Sequence, residues 1–363
     1  MSTGILAAGC VFPSGPGIGL ADVALRTGLA LVRRHPFFVD RCGQRVQVSC
    51  FDDPTLKFDT LRWPALAQAG LADLLAQLGE PATHELGQRP WRAWVVLPDA
   101  ARSVDAEQLY TAIEPVLAAW PYALDGVTLH LGGHAAGVAA VAAAAAACQA
   151  QPDLVALVLA VDSQLDANAL NALEQRRLLH GARESYEGAA RANPYGRIPG
   201  EGAAALVLCG QAGQTRRQPW CHLVGTALGQ EPRGAWQPEP CTGQGLTDTA
   251  GRAIAASGLG DETLARPATL ATLTHDATGE PYRADEFGFT ALRLARRLAP
   301  DYQRITPALV SADLGAASAV AHAALRAWRC RKQPDGSVHL ILSSSDDAMR
   351  GAMVLQANAR LAA

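Results

Sequence analysis

A run of small apolar residues, AAGVAAVAAAAAAC from Ala135 to Cys148, constrains the fold of this chain more than any other feature. Alanine is the strongest helix former, and its side chain is the smallest that still packs in a protein interior. The run is shorter than the about 20 residues that a membrane-spanning helix needs. We therefore expect a buried helix with protein layers on several sides.

The order of elements around this run occurs twice in the sequence. Each copy has a small-residue helix and two apolar strands: 131–148, 153–163 and 202–208 in the first copy, and 314–328, 337–346 and 351–355 in the second. Small-residue helices that alternate with continuous apolar strands are typical of a sheet covered on both faces. The sequence thus predicts a duplicated α/β fold with halves at 1–215 and 216–363, in which the small-residue helices form a shared central layer.

Three further helices are predicted outside the repeated elements. The segment 64–79 begins with a proline, which the first turn of a helix tolerates. Asp105 is a suitable N-cap for a helix at 105–119. Apolar residues recur at helical spacing over 284–298.

The charged and reactive residues exclude several classes of function. The 31 basic and 34 acidic residues give a net charge of -3, so neither nucleic acid nor a membrane surface is an expected partner. Lys57 and Lys332, the only lysines, lie in no Walker A loop and in no SxxK motif. The eight cysteines form no CxxC pair, so we expect buried thiols in a reducing cytoplasm, with no metal site and no cofactor.

Several motifs resemble the β-ketoacyl synthases of the thiolase superfamily. They are the opening GILAAGCVFPSG, the GGHAAG turn, NPYGRIP followed by GEGAAALVLC, LTHDATGEPYRADE, the GAAS helix start and the C-terminal SSSDD. Their order and spacing span nearly the whole chain. The resemblance implies a duplicated thiolase-like αβαβα five-layer sandwich.

The same resemblance points to a changed catalytic centre. The family has a nucleophilic cysteine where a strand turns into a helix, and two histidines that polarise the thioester carbonyl. This sequence has His134 in place of the cysteine, His275 in place of the first histidine and Ala312 in place of the second. Because a histidine cannot hold an acyl group as a stable thioester, we expect cysteine-dependent condensation to be lost.

Three further residues are candidates for the site by the same resemblance. Glu286 matches a family glutamate downstream of the first histidine. Asp346 and Asp347 lie where the family has a glycine-rich stretch near the acyl pocket, which makes them candidate substrate contacts. Two adjacent carboxylates are also common in solvated turns and helix caps, and this alternative stays open.

The sequence leaves three functions as alternatives, with catalysis itself uncertain. The first is a non-condensing partner or scaffold in acyl or polyketide-type metabolism, similar to subunits that determine chain length. The second is an acyltransferase or decarboxylase on acyl or malonyl thioesters that uses His134 and His275. The third is an acyl- or peptide-binding module. The resemblance also implies a homodimer, or a heterodimer with a ketosynthase-like subunit, through the run at 128–131, and an acyl carrier protein or acyl-CoA as a further partner.

Overall fold

Hydrogen bonds between strands join most of the β-structure into one large mixed sheet. The computed structural model describes residues 2–59, 62–79, 85–99, 104–183, 192–210, 217–234, 239–259 and 269–359. The strands are β1 (Thr3–Phe12), β2 (Gly15–Pro16), β3 (Arg33–Val39), β4 (Arg45–Val48), β5 (Trp91–Leu97), β6 (Leu124–Leu131), β7 (Val155–Ser163), β8 (Glu201–Cys209), β9 (Cys221–Gln230), β10 (Leu270–His275), β11 (Leu298–Ile305), β12 (Val338–Ser344) and β13 (Met349–Ala357). The helices are α1 (Ile18–Thr27), α2 (Arg62–Leu78), α3 (Ala106–Ala118), α4 (Ala136–Ala150), α5 (Ala167–Gln175), α6 (Gln244–Ala256), α7 (Pro281–Arg293), α8 (Ala308–Ser311) and α9 (Ser318–Lys332).

The strand order shows the duplication. From the middle outward, the sheet runs β1-β8-β7-β5-β6 on one side and β9-β13-β12-β10-β11 on the other, so corresponding strands occupy corresponding places. In both halves the inner pairs β7/β8 and β12/β13 are antiparallel, whereas β5 and β10 pair in parallel with both of their neighbours. The halves meet where Thr3 to Ile5 pair with Cys221 to Leu223. The predicted boundary between residues 215 and 216 lies outside the described residues.

The helices form three layers around the two halves of the sheet. Helices α4 and α9 contact each other and contact strands of both halves, which places them in the centre. Helices α2 and α3 pack on strands of the first half, α6 packs on strands of the second, and α7 packs on α6. The predicted αβαβα sandwich is therefore confirmed.

The alanine run forms the buried helix that its composition predicts. A Cβ atom added at Gly137 of α4 would lie 2.9 Å from the Cβ of Ala319 and 3.2 Å from the backbone nitrogen of Val320, both in α9. This spacing leaves no room for a larger side chain between the two central helices. The small residues therefore allow the two halves of the sheet to share one helical layer.

The other predicted helices are present with shifted ends. Helix α2 spans Arg62–Leu78, and Asp105 caps α3 by accepting hydrogen bonds from the backbone nitrogens of Glu107 and Gln108. The prediction over 284–298 is wrong at both ends. Pro281 occupies the first turn of α7, and the α-helix ends at Arg293. A 3-10 turn over Ala295–Arg297 then leads into the edge strand β11, which begins at Leu298.

The cysteines and the apolar helices also behave as the composition predicts. All eight cysteines are buried free thiols. Within the described ranges, no helix combines the length and the apolar character that crossing a membrane requires.

Replacing Gly137 by alanine tests the close packing of α4 on α9. We expect Gly137→Ala to lower the free energy of unfolding by about 1–3 kcal/mol, because the added methyl group overpacks against backbone and short side chains. Gly251→Ala is the matched control, since Gly251 also lies in a helix but has no atom within 4 Å of the added Cβ. It should gain about 0.5–1 kcal/mol from helix propensity alone. Urea unfolding measures both, and a stabilised Gly137→Ala variant would contradict the packing described.

Candidate functional site

The turn between β6 and α4 is held against the segment that follows β12. A Cβ atom added at Gly133 would lie 2.9 Å from the Cβ and the Oγ of Ser345, so only glycine fits this approach. The backbone nitrogen of Ala135 donates a hydrogen bond to the Oγ of Ser345 at 3.0 Å, and the Oγ of Ser343 lies 3.3 Å from the carbonyl oxygen of His134. His134 lies in the first sequence copy, and contacts with Ser343 and Ser345 of the second copy hold it in position.

Both ring nitrogens of His134 have partners inside the protein. The Nε2 atom lies 2.7 Å from the Oδ1 of Asp313, and the Nδ1 atom lies 3.4 Å from the guanidinium of Arg283. A carboxylate accepts and a guanidinium only donates, so a ring with its proton on Nε2 satisfies both contacts. The side chain of His134 is 4% exposed. Neither ring nitrogen is left to accept a proton from a substrate.

A buried arginine, Arg197, ties three acidic residues together beside His134. Its Nε atom donates to Glu280 at 2.7 Å, one terminal nitrogen donates to the Oδ2 of Asp313 at 3.1 Å, and the other donates to the Oδ1 of Asp346 at 2.7 Å. The arginine side chain is 2% exposed. Each oxygen of Asp313 therefore has a partner, His134 on one side and Arg197 on the other.

A second buried arginine, Arg283 of α7, extends this network. It donates to the Oδ1 of Asp346 at 2.8 Å and forms ion pairs with Glu280 at 3.4 Å and with Asp276 at 3.5 Å. The Oδ2 of Asp276 in turn accepts from the Oγ of Ser343 and from the backbone nitrogen of Ser344. Two guanidinium groups and four carboxylates thus meet in one buried cluster.

The arginines control the protonation of the acidic residues. Burial by itself raises the pKa of Asp313, but His134, Arg197 and Arg283 outweigh burial and lower it well below its ordinary value. The pKa of Asp346 is also lowered against the effect of burial, by Arg197 and Arg283. Both residues remain carboxylates at neutral pH and hold the arginines in place.

The space left around His134 is small and polar. The cavity measures about 50 Å³, and its walls include Gly133, His134, Arg197, Gly315, Ser345 and Asp346. Pockets for small-molecule ligands usually measure about 300–1,000 Å³, whereas a single water needs about 10–15 Å³. The cavity has room for a few waters and no room for an acyl chain. Among the described residues that line it, none is a cysteine.

The backbone next to Asp313 has an unusual conformation. Ala312 has φ 60° and ψ -167°, a region that is populated almost only by glycine and costs about 1–3 kcal/mol for other residues. The next residue is held by two backbone hydrogen bonds: the nitrogen of Asp313 donates to the carbonyl of Ile198 at 3.0 Å, and its carbonyl accepts from the nitrogen of Gly200 at 2.9 Å. The carboxylate of Asp313 reaches His134 from this fixed backbone.

Five candidate site residues are predicted from the sequence: His134, His275, Glu286, Asp346 and Asp347. Of these, the structure brings His134 and Asp346 together in the buried cluster. Asp346 is in contact with both arginines, and Asp347 also lines the cavity. Asp347 is exposed and accepts a hydrogen bond from the backbone nitrogen of Met349 at 2.8 Å, as in a turn.

The other two candidates lie outside the cavity wall. His275 ends β10, its ring stacks on Phe287 at 3.6 Å between centroids, and its Nε2 lies 2.8 Å from the Oγ1 of Thr306. Glu286 forms a buried ion pair with Arg350 at 2.5 Å. Neither His275 nor Glu286 is among the described residues that line the cavity.

Sequence reasoning missed the charged groups that dominate the site. Arg197 lies in the NPYGRIP motif, Arg283 lies one residue before the predicted helix at 284–298, and Asp313 directly follows Ala312. No spacing signal marks them, because each looks like an ordinary surface charge until the fold buries it.

Removing Arg197 tests the buried network. We expect Arg197→Met to lower the free energy of unfolding by about 3–5 kcal/mol at pH 7, because three buried carboxylates lose their shared partner. The depressed pKa of Asp313 and Asp346 contributes stability that is complete above about pH 4 and is lost as the pH falls below that value, so the gap to the wild type should narrow only below about pH 4. Arg33→Gln, which removes the exposed pair with Asp52, is the control and should change stability by less than about 1 kcal/mol. Equal losses in the two variants, measured by urea unfolding, would contradict this account.

His275 should make the protein sensitive to mild acid. Burial lowers the pKa of His275 to about 3. Below about pH 6.5, His275 is therefore protonated in the unfolded chain but not in the folded protein. As a result, the free energy of unfolding decreases as the pH falls. Between pH 7 and pH 5, the wild type should lose about 2 kcal/mol more than His275→Gln. His322, whose pKa burial lowers to about 4, contributes equally to both proteins. Parallel pH profiles of the unfolding free energy would be the contrary result.

The comparisons with known proteins bear on the fold. No protein-family model matches the sequence, and no curated protein is found as a relative. Among solved structures, a chain of the AntDE:AntF complex, a type II PKS acyl-carrier protein with its ketosynthase bound to the hexaketide, aligns with a TM-score of 0.79 and 14% identity over 98% of this chain and 99% of that chain.

Two further structures give the same result. The oxazolomycin ketosynthase domain OzmH KS7 of Streptomyces albus JA3453 aligns with a TM-score of 0.77 and 14% identity over 100% of this chain and 76% of that chain. A chain of the ishigamide ketosynthase/chain length factor aligns with a TM-score of 0.68 and 17% identity over 99% and 100%. At this level of identity the likeness is one of fold, and the chain has the thiolase-like fold of ketosynthases.

Proposed function

We propose that this chain is a ketosynthase-like protein that does not carry out cysteine-dependent condensation and acts as a non-condensing partner of a ketosynthase-like subunit in acyl or polyketide-type metabolism. The observation that carries the proposal is His134 at the turn before α4, with both ring nitrogens engaged and only about 50 Å³ of space beside it. A condensing site needs a nucleophile at this turn and space for the acyl chain that it carries.

The cysteines support this proposal by their positions. Burial raises the pKa of Cys10, Cys50 and Cys148, which makes these thiols poor nucleophiles. Cys330 has a lowered pKa because it is hydrogen-bonded by Cys221, but its side chain is 2% exposed near the end of α9. No described cysteine combines an activated thiol with access to a substrate.

The exposed edge of the sheet supports the proposal that this chain binds a partner subunit. Strand β6 is the outermost strand of its half, and Leu129 and Leu131 on it are 38% and 46% exposed. An unpaired edge with apolar side chains is a template for pairing with a second chain. The segment includes the run at 128–131 that the sequence resemblance assigns to dimerisation. Either a second copy or a ketosynthase-like subunit fits this edge, with an acyl carrier protein or acyl-CoA as a further partner.

A second function, transfer or decarboxylation of acyl or malonyl thioesters, is favoured by one observation. His134 and Asp313 form a buried dyad with 2.7 Å between Nε2 and Oδ1, the kind of pair in which a carboxylate orients a histidine that moves protons. For this chemistry the contact between Nδ1 and Arg283 would have to open when a substrate binds.

One experiment separates the two functions. The untagged protein is incubated with acetyl and malonyl donors, both as coenzyme A thioesters and on an acyl carrier protein, and its intact mass and the donor turnover are measured. We expect an unmodified mass and a turnover that is equal in the wild type and in His134→Ala. His222→Ala is the matched control, since His222 lies on β9, away from the edge strand β6 and outside the described cavity wall.

Three outcomes would overturn the proposal. They are a stable acyl adduct on a cysteine, a turnover that His134→Ala abolishes and His222→Ala retains, and a wild type that stays monomeric both alone and with a ketosynthase subunit. Native mass spectrometry of the same samples, alone and with a ketosynthase subunit, should show a dimer that Leu129→Arg disrupts, because a charge then lies on the exposed edge of β6.

A further inference from the structure

Three buried side chains with metal-binding atoms come together in the second half of the protein. Glu231 follows β9, Cys241 precedes α6, and Glu286 lies on α7. Their carboxylate oxygens and thiol sulfur lie within 4.8 Å of one another, although the residues are far apart in sequence. They are 2%, 3% and 1% exposed, respectively. This cluster is separate from the cavity at His134, because none of the three residues is among the described residues that line that cavity.

One carboxylate oxygen in this cluster lacks a partner. The Oε2 atom of Glu231 accepts a hydrogen bond from the backbone nitrogen of Gly245 at 2.8 Å, but its buried Oε1 atom has no hydrogen-bond partner in the described part of the chain. Leaving a buried polar atom unsatisfied costs about 1–3 kcal/mol, and more when the group is charged. A buried acceptor without a hydrogen-bond partner, next to a second carboxylate and a thiol, indicates a place where a cation can bind.

The charges of the cluster lead to the same conclusion. Arg350 donates from Nε to Glu286 at 2.5 Å and is the one buried cation that contacts the described members of the cluster. Two carboxylates against one guanidinium leave a net charge of one negative unit among buried side chains. A divalent cation that displaces the proton of the Cys241 thiol would bring the total, with Arg350, to zero.

We propose that Glu231, Cys241 and Glu286 bind a thiophilic divalent cation of the Zn²⁺ type. Zinc takes thiolate sulfur at about 2.3 Å and carboxylate oxygen at about 2.0–2.2 Å, so its ligand atoms lie roughly 3.5 Å apart. Small rotations of the three side chains would shorten the distances between the ligand atoms from up to 4.8 Å to this value. Binding forms one sulfur–metal and two oxygen–metal bonds, and the thiol proton leaves to solvent.

The surrounding structure offers an entry path for the ion. Glu231 lines an open cleft of about 670 Å³, together with Asp248, Asp346 and Asp347. This acidic cleft attracts cations, and a water from it completes a four-coordinate site.

The ion would also act on the site at His134. Arg350, which holds Glu286, donates from another nitrogen to the backbone carbonyls of Ser345 at 3.0 Å and Asp347 at 2.7 Å. These residues belong to the segment that lines the His134 cavity. The ion therefore fixes this segment through Glu286 and Arg350.

Metal titration of the full, untagged chain tests the proposal. The protein is stripped with a chelator, and Zn²⁺ binding is measured in competition with a chromophoric chelator, with Co²⁺ as a spectroscopic probe. We expect one ion per chain, a rise in Tm with Zn²⁺, and the sulfur-to-cobalt charge-transfer band that reports a thiolate ligand. Cys241→Ser should abolish this band, and Glu231→Gln should weaken Zn²⁺ binding at least tenfold.

Matched variants make the result specific. Cys42→Ser, at a buried cysteine outside the cluster, and Glu107→Gln, at an exposed glutamate, should leave the band and the affinity unchanged. If Cys241→Ser does not fold, Glu231→Gln decides the question, because it replaces the group that has the orphaned oxygen by one of equal shape. The proposal is overturned if the wild type shows no charge-transfer band, or if Glu231→Gln binds Zn²⁺ as tightly as the wild type does.

Discussion

The close approach of α4 and α9 is the constraint on which the rest of the structure depends. Gly137 faces Ala319 and the backbone of Val320 with no space for a further methyl group. Because the two helices touch, the turns that precede them also come together, and the chain places His134 in one turn and Asp313 in the other. The 2.7 Å contact between these two residues is thus a direct product of the internal duplication.

The buried ionic network gives this junction its chemical character. Arg197 and Arg283 pair with the buried Asp313 and the part-buried Asp346, which would otherwise lack a cationic partner. A buried ionic network of this kind contributes little net stability over an apolar core, but breaking it is costly.

The sequence predicts the fold better than it predicts the site. The alanine run and the repeated order of elements are local patterns, and local patterns report secondary structure and burial directly. The site depends on pairs such as His134 with Asp313 and Arg197 with Asp346, whose members lie 179 and 149 residues apart. His134 and Asp346 could be identified because they occupy positions of a resembled motif. Arg283 could not, since nothing in its neighbourhood shows that the fold will bury it. The end of α7 was missed because the apolar spacing continues into β11.

The pairing of β1 has a consequence for the way in which the protein is made. All ten residues of Thr3–Phe12 are buried, and apart from the two-residue strand β2 the neighbours of this strand are Glu201–Cys209 and Cys221–Gln230. The ribosome therefore releases an apolar strand whose partners follow roughly 200 residues later, which takes about 10–40 s at usual rates of synthesis. During that time the strand is exposed to other nascent chains. The interval before β8 and β9 emerge is therefore the stage of synthesis at which a chaperone that shields this first strand has the greatest effect.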